Sequence, residues 1–359
     1  MIEEHKNRFF LRLKRNKRFL IWIGTVFIIA FMVFLVDFNN LINKILIIGL
    51  WWTFVFIIVY TITFIIRTYR LDLVFNGLDQ DISIGTSYFS IGISFFLNDL
   101  SPAKLGDVAK IGIIKDHENI KLSESACGIT FERVMDFIIL FFISSLALIY
   151  LYISGIGDSQ RKTLLGLNLQ FFLILGAIMI VFTFFIFILL MYKTDLFLNL
   201  IRKISPRISN FLTSFIINFK MGIRQFKNNK KKLIIIIILS SLIWIIEALI
   251  GVMFLLLLLQ ENYQVHILIL LLAITISYFS KAFPITPGGW GISENVGTLF
   301  ILIFYPEISF YEVLAIFIIE HLFRSAYIFF YGGYSILHYN FKLKELEDIK
   351  LEIYRDQEK

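Results

Sequence analysis

Long apolar runs constrain the fold of this chain most. An α-helix needs about 20 predominantly apolar residues to cross roughly 30 Å of hydrocarbon. Charged residues make up only 17% of the chain, against roughly 25% in a soluble domain. The sequence therefore predicts an all-α polytopic membrane protein and excludes a soluble enzyme, a disordered chain and a disulfide scaffold. The predicted full spans are residues 19–36, 41–66, 128–153, 167–191, 233–259 and 312–337.

Basic residues beside these runs predict how the chain is oriented. Residues 1–18 are strongly basic, and the segment 192–232 contains a single acidic residue, Asp195, among many lysines and arginines. Because cytoplasmic loops are enriched in Lys and Arg, we predict a cytoplasmic N-terminus, a cytoplasmic loop 192–232 and a cytoplasmic tail 338–359. The run 19–36 lacks a small-residue cleavage site and is interpreted as an uncleaved anchor. The protein is thus expected in the plasma membrane as a multi-pass protein.

Composition also limits which partners and cofactors the chain is expected to have. The formal net charge of +7 is explained by these membrane flanks, so no nucleic-acid partner is predicted. One cysteine, Cys127, excludes internal disulfides, and no H-E-x-x-H spacing occurs. No metal and no cofactor are therefore predicted.

Two apolar regions, 82–114 and 267–304, are interrupted by helix-breaking residues. Proline removes a backbone donor and glycine permits tight turns. Non-helical backbone at membrane depth is tolerated only where protein or water surrounds it, so we predict two re-entrant hairpins facing a cavity. The alternative is that each hairpin makes two full crossings. The break residues are Asn98, Pro102 and Gly106 in the first region and Pro284, Pro287, Gly288, Gly289 and Gly291 in the second.

The order of these elements predicts an internal repeat. With Arg67 and Arg70 taken as the cytoplasmic end of the second span, hairpin 82–114 begins and ends in the cytoplasm. Hairpin 267–304 begins and ends outside. Residues 19–153 and 167–337 then form two membrane repeats of opposite orientation, an arrangement in which broken elements mark the transport site.

Ionisable residues within the spans are a further signal. Each costs at least about 2.5–3.5 kcal/mol at the membrane centre, so such residues are functional candidates. Arg133, Arg324 and Lys281 suit an anionic headgroup, because guanidinium groups bind phosphate bidentately. Glu320 and Arg324 have the i,i+4 spacing of a helical ion pair. The competing interpretation is that the charges only pair with one another and join helices; the predicted charge partners are Glu132, Asp136, Glu247 and Glu320.

Three motifs carry a family resemblance. They are Asn98-x3-Pro102-x3-Gly106-Asp107, then Glu132-Arg133-x2-Asp136, then the string FPITPGGWGISE at 283–294. Together they resemble the lysylphosphatidylglycerol synthase transmembrane region, also called the flippase-like domain family or the UPF0104 group, over nearly the whole chain. In that family the membrane region is fused to an aminoacyl-transferase domain or a glycosyltransferase domain, or stands alone. The family's usual arginine after the first glycine–acid pair is Lys110 here, and Trp290 replaces a smaller aliphatic residue.

The resemblance implies a lipid flippase-like protein that is not itself an enzyme, since the chain corresponds to the membrane part alone. We expect it to translocate a phosphate-containing lipid, aminoacylated or glycosylated in some cases, between leaflets. The expected partners are membrane lipids with an anionic headgroup and a separate synthase or glycosyltransferase. The alternatives are a membrane-embedded transferase and a scaffold for a glycolipid or aminoacyl-lipid synthase. The predicted substrate-binding residues are Lys104, Asp107, Arg133, Lys281, Glu294 and Arg324.

Overall fold

The computed structural model describes residues 38–101, 104–154, 229–259, 265–281 and 286–341, together with residues 213, 224, 226 and 263. The predicted spans 19–36 and 167–191, most of the loop 192–232, both termini, Pro102 and Pro284 lie outside the described residues. The described part consists of helices and turns. Its helices are α1 Phe38–Gly77, α2 Ile84–Leu100, α3 Leu105–Glu118, α4 Leu122–Ser154, α5 Lys230–Leu259, α6 Ile267–Ser280, α7 Ile292–Phe304 and α8 Phe310–Tyr339.

Helix lengths separate two kinds of element. Within the described residues, four helices, α1, α4, α5 and α8, are long and apolar enough to cross a membrane. The other helices have 17, 14, 14 and 13 residues. At 1.5 Å per residue these are about 20–26 Å long, shorter than the hydrocarbon layer. The all-α polytopic architecture predicted from the sequence is confirmed.

The first hairpin, α2 and α3, lies along the C-terminal half of α8. At its open end, the hydroxyl groups of Thr86 and Tyr339 are 3.0 Å apart. At its tip, the Asp99 carboxylate lies 3.8 Å from Nε2 of His321, more than four turns before the end of α8. The hairpin therefore runs from the end of α8 to its middle.

The second hairpin, α6 and α7, approaches from the opposite end. Near its open end, the backbone N–H of His266 donates to the Tyr305 hydroxyl at 2.7 Å, just before α8 begins. At its tip, Glu294 contacts Nδ1 of the same His321. The two hairpins thus meet tip to tip half-way along α8, as expected for re-entrant hairpins of opposite orientation.

The helices of the two repeats pack in the same way. Hairpin helix α2 packs against α1 and α8, and α6 packs against α5 and α4. Helices α1 and α5 are antiparallel, since Lys44 Nζ donates to the Leu258 carbonyl at 3.3 Å and Lys232 Nζ donates to the Asn76 carbonyl at 3.0 Å. Corresponding elements therefore have corresponding neighbours and run in opposite directions, which is the pattern of an inverted repeat.

The predicted end of the second span is wrong. Helix α1 continues eleven residues beyond Ile66 to Gly77. The side chains of Arg67 and Arg70 are 3% and 0% exposed, so they are not flanking charges. Acidic partners on other helices neutralise both arginines, and the hydropathy of α1 alone contains no sign of those partners.

Glycines allow α2 and α8 to approach closely. A Cβ added at Gly332 would lie 2.4 Å from Cβ of Phe96 and 2.7 Å from the carbonyl oxygen of Gly92. A Cβ on the neighbouring Gly333 would meet nothing within 4 Å. Small residues at such contacts favour helix association in membranes.

We expect Gly332→Ala to destabilise the protein by about 1–3 kcal/mol, because the added methyl group overpacks the α2–α8 contact. Gly333→Ala is the matched control and is expected to leave stability unchanged. The thermal transition of each purified variant in detergent measures the difference. Equal transitions for the two variants would contradict the close packing described above.

Candidate functional site

The tip of the first hairpin is closed by an asparagine. The Asn98 side-chain oxygen accepts from the backbone N–H of Gly106 at 2.9 Å, and its amide donates to Asp107 at 3.1 Å. Lys104 precedes α3 with a positive φ of 51°. Asn98 therefore supplies the hydrogen bonds that the interrupted backbone lacks at the start of α3.

Asp107 and Arg133 form a partly exposed ion pair beside this tip. Arg133 Nη2 lies 3.0 Å from Asp107 Oδ1, and the two side chains are 23% and 17% exposed. Ser94 also donates to the Asp107 carboxylate, at 3.1 Å. Within the described residues, Nε of Arg133 has no hydrogen-bond partner. Arg133 thus keeps one unused donor, Nε, which is itself buried, while the side chain as a whole is partly exposed.

The tip of the second hairpin is a glycine-rich turn. Pro287–Gly289 forms one 3₁₀ turn, with positive φ at Gly288 (60°), and Gly291 (83°) precedes α7. The Glu294 carboxylate accepts from the backbone N–H of Gly291 at 2.7 Å, which caps α7. A Cβ on Gly288 would lie 2.6 Å from Oδ1 of Asp99, so the two tips touch at this point.

Lys281 follows α6 and lies beside the same turn. Its side chain passes Gly289, where a Cβ would come within 2.8 Å of Lys281 Cγ. Its Nζ is 5.4 Å from the centre of the Tyr278 ring. The rings of Phe137 and Phe279 are 4.9 Å apart, and Arg133 and Lys281 each lie within about one turn of this contact between α4 and α6.

A buried network joins α1, α3 and α4. Arg70 pairs with Glu132 at 2.6 Å and also with Asp136, while Lys110 Nζ lies 2.6 Å from the other Glu132 oxygen. The indole N–H of Trp244 donates to Asp136 at 3.0 Å. Glu132 and Asp136, both predicted charge partners, therefore connect helices within the first repeat and reach α5.

A second buried network surrounds Arg324. This guanidinium pairs with Glu247 and Glu320, and its Nη2 also donates to the Glu247 carbonyl at 3.0 Å. The Tyr278 hydroxyl donates to Glu320 at 2.7 Å, and Arg67 pairs with Glu247 at 3.1 Å. The predicted helical pair of Glu320 and Arg324 is confirmed. All three guanidinium nitrogens of Arg324 donate to acceptors within this network, and the side chain is only 5% exposed.

The structure thus divides the predicted site residues. Asp107, Arg133 and Lys104 lie at the first tip, Lys281 and Glu294 lie at the second, and Arg324 lies in a separate buried network. Sequence reasoning missed Arg67, Arg70, Asp99, Tyr278 and His321. The three-residue spacing of Arg67 and Arg70, which puts both on one helix face, was the available signal for these two.

The open end of the first hairpin has its own polar contact. Ser83 donates from its backbone N–H and from its hydroxyl to Glu118, at 3.1 Å and 2.8 Å. Burial raises the pKa of Glu118, but hydrogen bonds from Thr86 and Ser83 outweigh it and hold the pKa below its usual range. The ends of α2 and α3 are therefore held together by an ionised carboxylate.

In the described ranges, no group of three or more His, Cys, Asp or Glu side chains is arranged to hold a metal ion. The site consists of charged side chains and interrupted backbone.

Fold and site together define a class: all-α polytopic membrane proteins in which two broken hairpins of opposite orientation meet beside buried charges. The chain belongs to the family described as the lysylphosphatidylglycerol synthase TM region, whose model matches residues 21–332. A relative, the UPF0104 membrane protein MJ1078 of Methanocaldococcus jannaschii, is 29% identical over 232 residues, which are 61% of this chain and 90% of that protein. No solved structure matches the chain.

Proposed function

We propose that this protein moves a lipid with a phosphate-containing headgroup between the leaflets of the plasma membrane. The headgroup would lie between the two hairpin tips, and the acyl or prenyl chains would stay in the bilayer. The observation that carries the proposal is Arg133, which is partly exposed, has an unused donor and pairs with Asp107 at the tip of the first hairpin.

The phosphate contacts in this proposal come from Arg133, Lys104 and Lys281. A lysine and an arginine at one tip and a lysine at the other can bind the two sides of one anionic group. Asp107, which is 17% exposed, is the group that binds an amine on an aminoacylated headgroup in this proposal, whereas Glu294 is 1% exposed and already contacts His321 and Gly291. Arg324 is not among the proposed contacts, since each of its guanidinium nitrogens already has a protein acceptor and its side chain is 5% exposed.

Hairpin shape supports movement across the membrane rather than binding at one surface. Each hairpin is open towards one end of α8, and their tips are joined by contacts between Gly288 and Asp99. Because the tips meet at mid-depth, a site between them can be reached from either side when one hairpin shifts, as in alternating access.

Loss of the Arg133 charge is expected to slow lipid movement about tenfold or more. A hydrogen bond to a charged group is worth about 1.5–3 kcal/mol, and 1.4 kcal/mol is a tenfold change. Arg133→Gln should show this loss, and Arg133→Lys should keep part of the rate. The measurement is the bleaching of labelled phosphatidylglycerol by dithionite in proteoliposomes.

Two controls make that result specific. Lys115→Gln removes a charge at the far end of α3, where Lys115 pairs with Asp116 at 3.6 Å, and should leave the rate unchanged. Labelled glucosylceramide, which has no phosphate, should move slowly with every variant. The proposal fails if folded Arg133→Gln moves phosphatidylglycerol as fast as the unchanged protein.

A scaffold for a glycolipid or aminoacyl-lipid synthase is the second candidate, and the description of the family as the membrane region of a lipid synthase supports it. A protein that moves none of the labelled lipids but co-purifies with a synthase would favour this role. A membrane-embedded transferase would instead consume a lipid carrier, which mass spectrometry of the same proteoliposomes detects.

A further inference from the structure

His321 occupies the point where the two hairpin tips meet α8. Its Nδ1 contacts Glu294 of the second hairpin, and its Nε2 lies 3.8 Å from Asp99 of the first hairpin. The indole ring of Trp290 stacks on the imidazole, with ring centres 3.9 Å apart and planes 4° apart. His321, Glu294 and Asp99 are 4%, 1% and 9% exposed at their side chains.

Both ring nitrogens of His321 therefore face a carboxylate. An ionised carboxylate only accepts hydrogen bonds, and neutral imidazole has one N–H and one lone pair. In the neutral form, one ring nitrogen would direct its lone pair at a carboxylate oxygen. Only the imidazolium presents an N–H to both Glu294 and Asp99.

Charge balance leads to the same protonation state. The charged groups around His321 are Asp99 at the end of α2, Glu294 on α7, Lys281 after α6, and Glu320 and Arg324 on α8 itself. Glu320 and Arg324 neutralise each other. Lys281 balances one of the two remaining carboxylates, which leaves one negative charge if His321 is neutral. A buried unpaired charge is costly, so a proton on His321 stabilises the cluster.

We propose that His321 is a proton-binding site that holds the two hairpin tips together and couples lipid movement to protonation. With the proton bound, His321 joins Asp99 of one hairpin to Glu294 of the other. Loss of the proton leaves one of the two carboxylates facing a nitrogen lone pair instead of an N–H, so the tips separate. The coupling to lipid movement rests on the function proposed above, whereas proton binding itself does not.

Trp290 provides a direct measurement of this proton. A protonated imidazole quenches a stacked indole more than a neutral one does, so Trp290 emission should rise in one step as His321 loses its proton. The signal of Trp290 is the emission of the unchanged protein minus that of Trp290→Phe, measured in detergent from about pH 5 to about pH 10. His321→Gln should abolish the step. His338→Gln, which changes a histidine at the far end of α8, should leave it intact.

Removing either carboxylate should make the proton easier to lose. Asp99→Asn and Glu294→Gln are each expected to lower the midpoint of the step by about one pH unit or more, because an opposite charge at this distance favours the cation. Asp99→Asn leaves the capping contact of Glu294 with Gly291 in place, so it tests the same point if Glu294→Gln does not fold. Absence of a step in the unchanged protein, or an unchanged midpoint in folded Asp99→Asn, overturns the proton site.

Lipid movement is then measured across the same pH range. The rate should rise above the midpoint in the unchanged protein and should not depend on pH in His321→Gln. A fluorescence step without lipid movement at any pH would overturn the proposed transport and its coupling while supporting the proton site. A step together with a rate that ignores pH would overturn the coupling alone.

Discussion

Arg70→Met is expected to abolish most of the folded protein. Arg70 is fully buried and pairs with both Glu132 and Asp136, so its removal leaves two carboxylates that share fewer cations in a low-dielectric interior. Breaking one side of a buried ion pair costs about 3–5 kcal/mol, a large part of the 5–15 kcal/mol that typically separates folded from unfolded states. Fluorescence-detected size-exclusion chromatography of the expressed variant measures the loss.

Charge neutralisation distinguishes this mechanism from a packing defect. Asp136→Asn in the Arg70→Met background removes one of the two carboxylate charges at nearly constant volume, and should restore part of the monodisperse peak. Lys115→Met, which removes a cation from a 26%-exposed side chain, should behave as the unchanged protein does, because surface ion pairs contribute at most about 1 kcal/mol. If the double variant is no better than Arg70→Met, the lost charge is not the cause.

Transmembrane segments and helix breaks could be predicted from the sequence because they depend on local residues. The ends of predicted spans 128–153, 233–259 and 312–337 lie within six residues of the ends of α4, α5 and α8. Asn98, Gly106 and Gly291 do mark the ends of hairpin helices. Hydropathy and the conformational preferences of glycine act within a single segment, so one sequence is enough to detect them.

In the charge networks, a pair within one helix could be predicted from the sequence, whereas pairs between helices could not. Within one helix, the spacing of Glu320 and Arg324 predicted their pair correctly. Between helices, the pairing of Arg70 with α4 and of Arg67 with Glu247 depends on which faces pack together. Both arginines looked like flanking charges for this reason, since a buried arginine with a distant partner and an exposed one have the same local sequence.

The same reason explains why His321 was missed. Its three contacts, Asp99, Trp290 and Glu294, come from both hairpin tips, and none is near it in sequence. The motifs drew attention to the tips themselves, and the residue on α8 that receives both tips carries no motif. Arg324 was the opposite case, since its position within a span predicted a ligand contact but its guanidinium group lies within a buried protein network.

Gly106→Ala is expected to disrupt the first hairpin more than any other substitution that adds a single methyl group. A Cβ at this position would lie 1.9 Å from the backbone carbonyl oxygen of Ser94 and 2.9 Å from Cγ of Asn98. A side chain could move aside, but a carbonyl oxygen within α2 moves only with its helix. The cost should therefore reach about 3 kcal/mol, the upper part of the usual range for overpacking, and it should fall on the contact between α2 and α3.

Gly85→Ala is the matched control within the same hairpin. The nearest atom to its added Cβ would be the Ser83 hydroxyl oxygen at 4.0 Å, so no contact changes. Thermal unfolding in detergent compares the two variants, and hydrogen exchange locates the effect. Faster exchange should appear in α2 and α3 of Gly106→Ala but not in α5, which packs on α1 away from this contact. Because Asn98 and Asp107 lie at the same tip, Gly106→Ala should also slow lipid movement. Equal stability and equal exchange in the two variants would mean that α2 and α3 are not packed as closely as the 1.9 Å distance implies.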